Sequence, residues 1–147
     1  MGILLVRHSD AVEGGGNIDD ASRWLSGAGR QRALDTARLV RAKGLTLDRF
    51  VTSPRVRAVQ TAELFAQVLG YRAEIESLPE LSFTMPAKDA AQALAARKGN
   101  TAAFGHMPTI ADILGLLSGS KGARGLATSE AVWIEAGKVV WRVDAPG

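Results

Sequence analysis

The chain has 147 residues, of which 46% are hydrophobic and 22% charged, and these proportions predict one globular domain spanning residues 1–147. It contains no cysteine, which excludes disulfide bonds and thiolate metal sites. The net charge of +3 comes without a block of like charges, and no apolar stretch approaches the roughly 20 residues of a membrane-spanning helix. We therefore expect a cytoplasmic protein that binds neither nucleic acid nor membrane.

Short apolar runs alternate with amphipathic segments along most of the chain. The apolar runs predict four strands, at 2–6, 47–52, 71–75 and 101–104. The amphipathic segments predict helices over about 26–42, 53–69, 87–98 and 108–117. Two further runs, 130–135 and 138–143, flank Ala136-Gly137 and predict a C-terminal hairpin.

Strands that alternate with helices are typical of right-handed βαβ crossovers. We therefore expect an α/β fold, a three-layer αβα sandwich with a mostly parallel central sheet and a C-terminal antiparallel hairpin. Gly44 and Gly70 are predicted to end the first two helices. Ser53 and Pro54 are predicted to open the second helix, as its N-cap and its first residue.

The two histidines of the chain each follow a predicted strand. Ligands bind at the carboxyl ends of strands in open α/β sheets, so His8 and His106 predict a site at that edge. A neutral imidazole is a nucleophile near neutral pH, and Arg7 beside His8 could hold phosphoryl oxygens. His106, if protonated, could donate a hydrogen bond to the same group. The alternative for each histidine is a hydrogen-bonded side chain without a chemical role.

A second arginine is predicted at the same edge of the sheet. Arg57 shares one helical face with Thr61, Leu64 and Phe65, so it lies at the N-terminal end of a stripe that faces the core. Its side chain is predicted to emerge near a helix N-terminus, which favours anions. Arg55 lies on another side of the helical wheel, so we expect the two arginines to point apart. The alternative is that both are solvated surface residues.

Together these residues resemble the histidine phosphatase superfamily, also called the phosphoglycerate mutase-like family. The matching motifs follow the family order between residues 3 and 108. They are Leu5-Val6-Arg7-His8, Leu25-Ser26-Gly27-Ala28-Gly29-Arg30-Gln31, Ser53-Pro54-x-x-Arg57-Ala58-x-Gln60-Thr61-Ala62, Leu78-Pro79-Glu80-Leu81 and Gly105-His106-x-Pro108. The short chain and the segment Asp20-x-x-Arg23-x-Leu25-Ser26 are similar to the SixA-type phosphohistidine phosphatase branch.

The resemblance implies a phosphate pocket without a metal or an organic cofactor. His8 would be the nucleophile that is transiently phosphorylated, and Arg7, Arg57 and His106 would surround the phosphoryl group. Arg23 would add to substrate binding. Positioning and electrostatics supply most of the catalysis of phosphoryl transfer, and arginine and imidazole donors suit that task.

The general acid is a separate expectation. Glu80 matches the position that serves as proton donor in many members, although it could instead cap or bridge its loop. Asp19, Asp20 and Glu13 lie in the loop after the first strand and could take the acid role. An imidazole leaving group has a pKa near neutrality and needs less protonation than an alkoxide, so a phosphohistidine phosphatase tolerates a poor acid.

The chain departs from the family pattern at one position, because Arg-His-Gly becomes Arg7-His8-Ser9. Glycine permits unusual backbone angles or a close approach to a ligand. Serine adopts ordinary loop angles and adds a hydroxyl, which would bond either the phosphate of the substrate or the backbone. We expect an active enzyme, with Ser9 counted among the substrate-binding residues.

These features predict a phosphatase that forms a phosphohistidine intermediate and acts on phosphohistidine in a protein. The candidate roof of the site is short, at 10–20 and 78–88, which suits a protein side chain but also weakly bound small phosphates. One alternative is a small-molecule phosphomonoesterase or a mutase of the same family. Another is a non-catalytic module that binds phosphate or phosphoprotein, because Ser9 replaces glycine. A third is a metallophosphoesterase built on His8, Asp10 and His106 with manganese or zinc.

Overall fold

The computed structural model describes residues 2–120 and 124–146. The strands in these ranges are β1 (Gly2–Arg7), β2 (Arg49–Thr52), β3 (Ile75–Ser77), β4 (Thr101–Gly105), β5 (Ala131–Glu135) and β6 (Lys138–Val143). The helices are α1 (Gly27–Arg41), α2 (Val56–Leu69), α3 (Ala87–Ala95) and α4 (Thr109–Ser118). Two short 3₁₀ turns, Asp20–Ser22 and Pro79–Leu81, lie in the loops before α1 and α3.

The strands form one sheet in the order β3-β2-β4-β1-β5-β6. The first four in this order are parallel neighbours, whereas β5 runs antiparallel to β1 and β6 runs antiparallel to β5. This topology confirms the predicted α/β fold with its mostly parallel sheet and C-terminal hairpin.

The register of the parallel strands brings three chain segments to one edge of the sheet. Arg7 of β1 pairs with Gly105 of β4, and Thr52 of β2 pairs with Phe104. The ladder continues one residue further, because the backbone N–H of His8 donates to the Gly105 carbonyl at 3.0 Å and that of Ser53 donates to the Phe104 carbonyl at 2.9 Å. The residues that follow β1, β2 and β4 are therefore neighbours.

Helices cover both faces of the sheet, with α1 and α2 on one face and α3 and α4 on the other. Successive side chains of a strand point to opposite faces, so Leu4 and Val6 of β1 enter the core under α1 and α2, while Leu5 enters the core under α3 and α4. All three side chains are fully buried. The strand β1, which ends at Arg7 just before His8, is thus held by packing on both faces of the sheet.

The helix ends follow the predicted signals at α1 and at the end of α2. The Ser26 hydroxyl accepts the backbone N–H of Gly29 at 3.0 Å and caps α1. Gly70 ends α2 with a φ of 73°, in the left-handed region that glycine tolerates.

Some predicted boundaries are wrong. The helix α3 ends at Ala95 rather than near Lys98. The helix α2 begins at Val56 rather than near Ser53, because Arg55 still has extended backbone angles. The Ser53 hydroxyl lies 2.7 Å from His106 Nε2. The strand β3 begins at Ile75 rather than Tyr71, since the Tyr71 ring stacks on Phe50 with centroids 4.2 Å apart and its hydroxyl donates to the Glu74 carbonyl. No helix within residues 2–120 and 124–146 has the length and apolar character needed to cross a membrane.

Candidate active site

A cavity of about 520 Å³ opens at the sheet edge where β1 and β4 end. Its wall contains five of the predicted site residues, Arg7, His8, Arg23, Arg57 and His106. The wall also contains two loop carboxylates, Asp10 and Asp20, and the ring of Phe83.

His8 is held in the tautomer that a nucleophile requires. Its Nδ1 lies 2.7 Å from the Ser9 carbonyl oxygen, which can only accept, so the imidazole proton sits on Nδ1. The lone pair is therefore on Nε2, and Arg57 Nε donates toward it at 3.4 Å. The neutral ring is thus oriented with Nε2 toward the arginines.

The His8 imidazole is also neutral near pH 7, because its pKa is strongly lowered. Burial lowers its pKa, the hydrogen bond to the Ser9 carbonyl raises it, and the positive charges of Arg57, Arg7 and Arg23 lower it further, to about 4. His8 is accordingly neutral near pH 7, and its Nε2 is not protonated.

Arg7 and Arg57 approach His8 from different elements. Arg7 ends β1, and its Nη1 donates to the Leu126 carbonyl at 3.0 Å. Arg57 lies in the first turn of α2 and is 4% exposed, as the helical wheel predicted. Burial lowers the pKa of both guanidinium groups, with Asp10 acting against this at Arg7 and Asp20 acting against it at Arg57, and arginine remains a cation throughout the usable pH range.

His106 lies beside His8, with the ring centroids 5.1 Å apart. Burial, followed by the charges of His8, Arg57 and Arg55, lowers its pKa to about 3. The protonated form considered from the sequence is therefore not the favoured one. The Ser53 hydroxyl accepts the backbone N–H of Arg55 at 3.3 Å and lies 2.7 Å from His106 Nε2, so it can donate its own proton there and leave the imidazole proton on Nδ1. Nδ1 has no hydrogen-bond partner among the described residues.

Ser9 follows His8 in the chain but is not part of the described cavity wall. It is fully buried, its hydroxyl donates to the Gly29 carbonyl at 2.7 Å, and its backbone N–H donates to Thr61 Oγ1 at 3.0 Å. Of the two roles expected for the hydroxyl, the structure shows the bond to the backbone, so the placement of Ser9 among the substrate-binding residues is corrected. Among the described non-glycine residues, positive φ occurs at Ser129 and Ala136, so Ser9 is accommodated without backbone strain.

The predicted divergence of Arg55 and Arg57 is also wrong. Arg55 Nη1 donates to Asp20 Oδ2 at 2.6 Å, and Arg57 Nη2 donates to the same oxygen at 3.2 Å. The two side chains converge because Arg55 precedes α2 with extended backbone angles (φ −69°, ψ 141°), so the helical wheel does not apply to it. Arg23 Nη1 donates to Asp20 Oδ1 at 3.2 Å, which completes a cluster of three arginines around one carboxylate.

The sequence indicated this cluster only in part. The Asp20-x-x-Arg23 segment marked the loop, and Asp20 was considered as an acid, but its contact with Arg55 and Arg57 crosses 35 to 37 residues of sequence. Glu80 is partly exposed on the Pro79–Leu81 turn, and the described cavity wall does not include it. Its role as general acid stays a prediction. Within residues 2–120 and 124–146, no group of three or more His, Asp or Glu side chains could hold a metal ion.

The comparison with known families now identifies the class. The family model of the histidine phosphatase superfamily (branch 1) matches residues 3–108, well over half of the chain. The chain belongs to the histidine phosphatase superfamily, which confirms the resemblance found in its motifs.

Within this class the fold is similar to that of SixA proteins. The structure of the protein histidine phosphatase SixA complexed with tungstate superposes with a TM-score of 0.90 at 22% identity, over 98% of this chain and 97% of that one. A protein from Agrobacterium tumefaciens assigned as a phosphohistidine phosphatase SixA gives a TM-score of 0.85 at 21% identity, over 99% of this chain and 98% of that one. These likenesses establish the shared fold.

A curated relative matches part of the chain. The mitochondrial serine/threonine-protein phosphatase Pgam5 of Drosophila grimshawi is 34% identical over 80 residues. The match covers 54% of this chain and 27% of that protein, so the chain accounts for a minor part of the length of this relative.

Proposed function

We propose that the protein is a phosphatase that forms a phosphohistidine on His8 and removes the phosphoryl group from a phosphohistidine side chain of another protein. One observation carries this proposal. His8 is neutral, its proton is held on Nδ1 by the Ser9 carbonyl, and its Nε2 lone pair faces Arg57 in a cavity that Arg7 and Arg23 also line.

The reaction would proceed in two displacements. In the first, His8 Nε2 forms a bond to phosphorus while the bond from phosphorus to the substrate imidazole breaks, and a substrate ring that carries a proton on its other nitrogen leaves as neutral imidazole. In the second, water attacks phosphorus, the bond to Nε2 breaks, and inorganic phosphate leaves. The guanidinium groups of Arg7, Arg23 and Arg57 would balance the charge on the phosphoryl oxygens, and the Nδ1–H of His106 would donate to one of them.

The leaving group supports phosphohistidine as the substrate. An alkoxide leaves only with the help of a positioned acid, whereas an imidazole with a pKa near 6.5 does not need one. The Glu80 side chain is not part of the described cavity wall, and the Asp20 carboxylate is tied to three arginines and ionised. The SixA structure that shares the fold is described as a protein histidine phosphatase, which agrees with this choice. The hydrogen bond of the Ser9 hydroxyl to the Gly29 carbonyl, away from the cavity wall, argues against a binding module without activity.

A labelling experiment tests the intermediate. A carrier protein bearing ³²P-phosphohistidine is mixed with the protein, and the reaction is quenched in alkali, which preserves phosphohistidine. We expect an alkali-stable, acid-labile label on His8 of the wild type and neither label nor turnover with His8→Ala. Folding of the variant is checked by its circular dichroism. Turnover that survives in His8→Ala, or a wild type with neither label nor turnover, would overturn the proposal.

A substrate panel tests the choice of substrate. We expect phosphohistidine protein and aryl phosphate to be hydrolysed far faster than alkyl and sugar phosphates, since only the alkyl and sugar esters leave as poorly stabilised alkoxides. Comparison of the wild type with Glu80→Gln separates the two sources of this preference. If Glu80 is the acid, the variant loses only the alkyl phosphate activity. Equal rates on all substrates would favour a small-molecule phosphomonoesterase instead.

A further inference from the structure

The Asp20 carboxylate is bound by three arginines that come from two separate segments of the chain. Arg55 Nη1 donates to Oδ2 at 2.6 Å, Arg57 Nη2 donates to the same oxygen at 3.2 Å, and Arg23 Nη1 donates to Oδ1 at 3.2 Å. Two of these arginines, Arg23 and Arg57, line the cavity together with His8. The arginine cluster thus already binds an anion, which is the Asp20 carboxylate of the same chain.

The Asp20 carboxylate occupies one of the two donors with which Arg57 could bind a phosphoryl group. The Nε–H and one Nη2–H of an arginine form a parallel fork that binds two oxygens of a phosphate or carboxylate. In Arg57 the Nε prong points to His8 Nε2 and the Nη2 prong points to Asp20 Oδ2. A phosphoryl group attached to His8 Nε2 would be bound by both prongs only after the Asp20 oxygen has left the second one.

The Asp20 side chain can leave without unfolding the loop that carries it. Its carboxylate is 47% exposed, whereas its backbone carbonyl separately accepts Arg57 Nη1 at 2.8 Å. The turn is also held by Asp19, whose Oδ1 accepts the backbone N–H of Ser22 at 2.9 Å, and by Arg23 Nε, which donates to the Val12 carbonyl at 2.8 Å. Rotation of one side chain is therefore enough to exchange one anion for another.

The charge on Asp20 persists under working conditions. Burial raises the pKa of the carboxyl, but the hydrogen bond from Arg23 and the charges of Arg57 and Arg55 outweigh burial and hold the pKa below its ordinary value. An ionised carboxylate on the arginines opposes a second anion by direct competition for donors and by like-charge repulsion.

We propose that Asp20 is a specificity-determining residue, an internal anion that competes with phosphate for Arg57 and Arg23. It weakens the binding of inorganic phosphate and of small phosphate esters. A phosphorylated protein overcomes the competition because contacts outside the cavity add binding free energy that a small ester lacks. In its bearing on substrate choice this inference rests on the proposed function, whereas the competition for phosphate does not.

The binding of inorganic phosphate tests the competition directly. We expect Asp20→Asn, which keeps the size of the side chain but removes its charge, to bind phosphate at least tenfold more tightly than the wild type in isothermal titration calorimetry. Asp20→Ala should behave in the same way. Asp35→Asn is the matched control, because it removes the same charge from the outer face of α1, where Asp35 pairs with Arg38. Its phosphate affinity should equal that of the wild type.

Steady-state kinetics separate this role from proton transfer. We expect KM for an aryl phosphate to fall at least tenfold in Asp20→Asn and product inhibition by phosphate to strengthen by a similar factor. Unchanged or weaker phosphate binding would overturn the inference, and so would a hundredfold loss of kcat at constant KM, which marks an acid or base. Calorimetry in the His8→Ala background needs no turnover, so failure of this inference and failure of the proposed function are distinguishable.

Discussion

The chemistry of His8 depends on a backbone carbonyl rather than on a neighbouring carboxylate. The Ser9 carbonyl fixes the proton on Nδ1, and burial together with nearby arginines lowers the pKa to about 4. A carboxylate at the same place would stabilise the imidazolium and reduce the fraction of the nucleophilic form. The arginines that would bind the phosphoryl group in the proposed reaction therefore also help to keep the His8 imidazole neutral.

The Ser9 hydroxyl leads to a prediction about the variant that restores the family glycine. Ser9→Gly removes the buried bond to the Gly29 carbonyl and adds backbone freedom to the unfolded chain, so we expect the free energy of unfolding to fall by about 1–3 kcal/mol. The rate of phosphohistidine formation should stay within a few-fold of the wild type, because the hydroxyl does not enter the cavity. Chemical denaturation and single-turnover labelling measure the two quantities.

Ser9→Ala is the control for this variant, since it removes the hydroxyl without the added freedom of glycine. We expect it to be destabilised by a smaller amount. A wild type that is inactive and a Ser9→Gly variant that is active would show instead that serine blocks catalysis.

At the scale of elements, the hairpin contributes to the site although its strands lie beyond β1. Glu130 is almost fully buried, and its Oε2 accepts Arg142 Nε of β6 at 2.7 Å. Arg142 Nη2 also donates to the Gly125 carbonyl at 2.7 Å. The next carbonyl in the chain, that of Leu126, accepts Arg7 Nη1 at 3.0 Å. Arg142 and Arg7 thus bind adjacent carbonyls of one segment, so we expect Arg142 to position Arg7.

We predict that Arg142→Ala releases the backbone around Gly125 and Leu126 and so misplaces Arg7. The affinity for inorganic phosphate should fall about tenfold, and the free energy of unfolding should fall by about 1–3 kcal/mol because Glu130 loses a charged partner. Arg142→Lys keeps a positive charge beside Glu130. Its single nitrogen cannot replace the two nitrogens with which Arg142 bonds the Glu130 carboxylate and the Gly125 carbonyl. Compared with Arg142→Ala, it should therefore restore the free energy of unfolding more than the affinity for phosphate. Calorimetry and denaturation test the split. Parallel recovery of both quantities would contradict the positioning role.

Elements with a local cause were predicted correctly from the sequence, and those with a tertiary cause were not. The capping of α1 by Ser26 and the end of α2 at Gly70 depend on neighbours within a few residues. Before α2 the Ser53 hydroxyl contacts His106, which is 53 residues away in the sequence, and the helix begins three residues later than predicted. The residues of the site show the same difference between local and tertiary causes. The positions of Arg7, His8 and His106 were predicted from the ends of strands, which are local features of the sequence. The contacts of Asp20 with Arg55 and Arg57 form only when the loop is folded, so they were not predicted.

At the scale of the whole molecule, the helical layer of α1 and α2 packs at Gly29 against the segment that follows β1. This residue lies in the first turn of α1, directly against the backbone of Asp10, and a Cβ atom built on it would lie 1.9 Å from the Asp10 carbonyl oxygen. The Gly29 carbonyl also accepts the Ser9 hydroxyl. The segment after His8 and the start of α1 therefore form one packed unit, which couples the position of His8 to that of the helical layer.

This close approach predicts that Gly29→Ala is strongly destabilising. The methyl group meets backbone rather than a flexible side chain, so either α1 or the segment at Ser9 and Asp10 must move, and we expect a loss of at least about 2 kcal/mol in the free energy of unfolding. Gly27→Ala is the matched control in the same helical turn, because no described atom lies within 4 Å of its added Cβ. It should be neutral or slightly stabilising, since alanine favours the helix. Chemical denaturation measures the free energy of unfolding of both variants. Equal values for Gly29→Ala and Gly27→Ala would contradict the tight packing of α1 against Ser9 and Asp10.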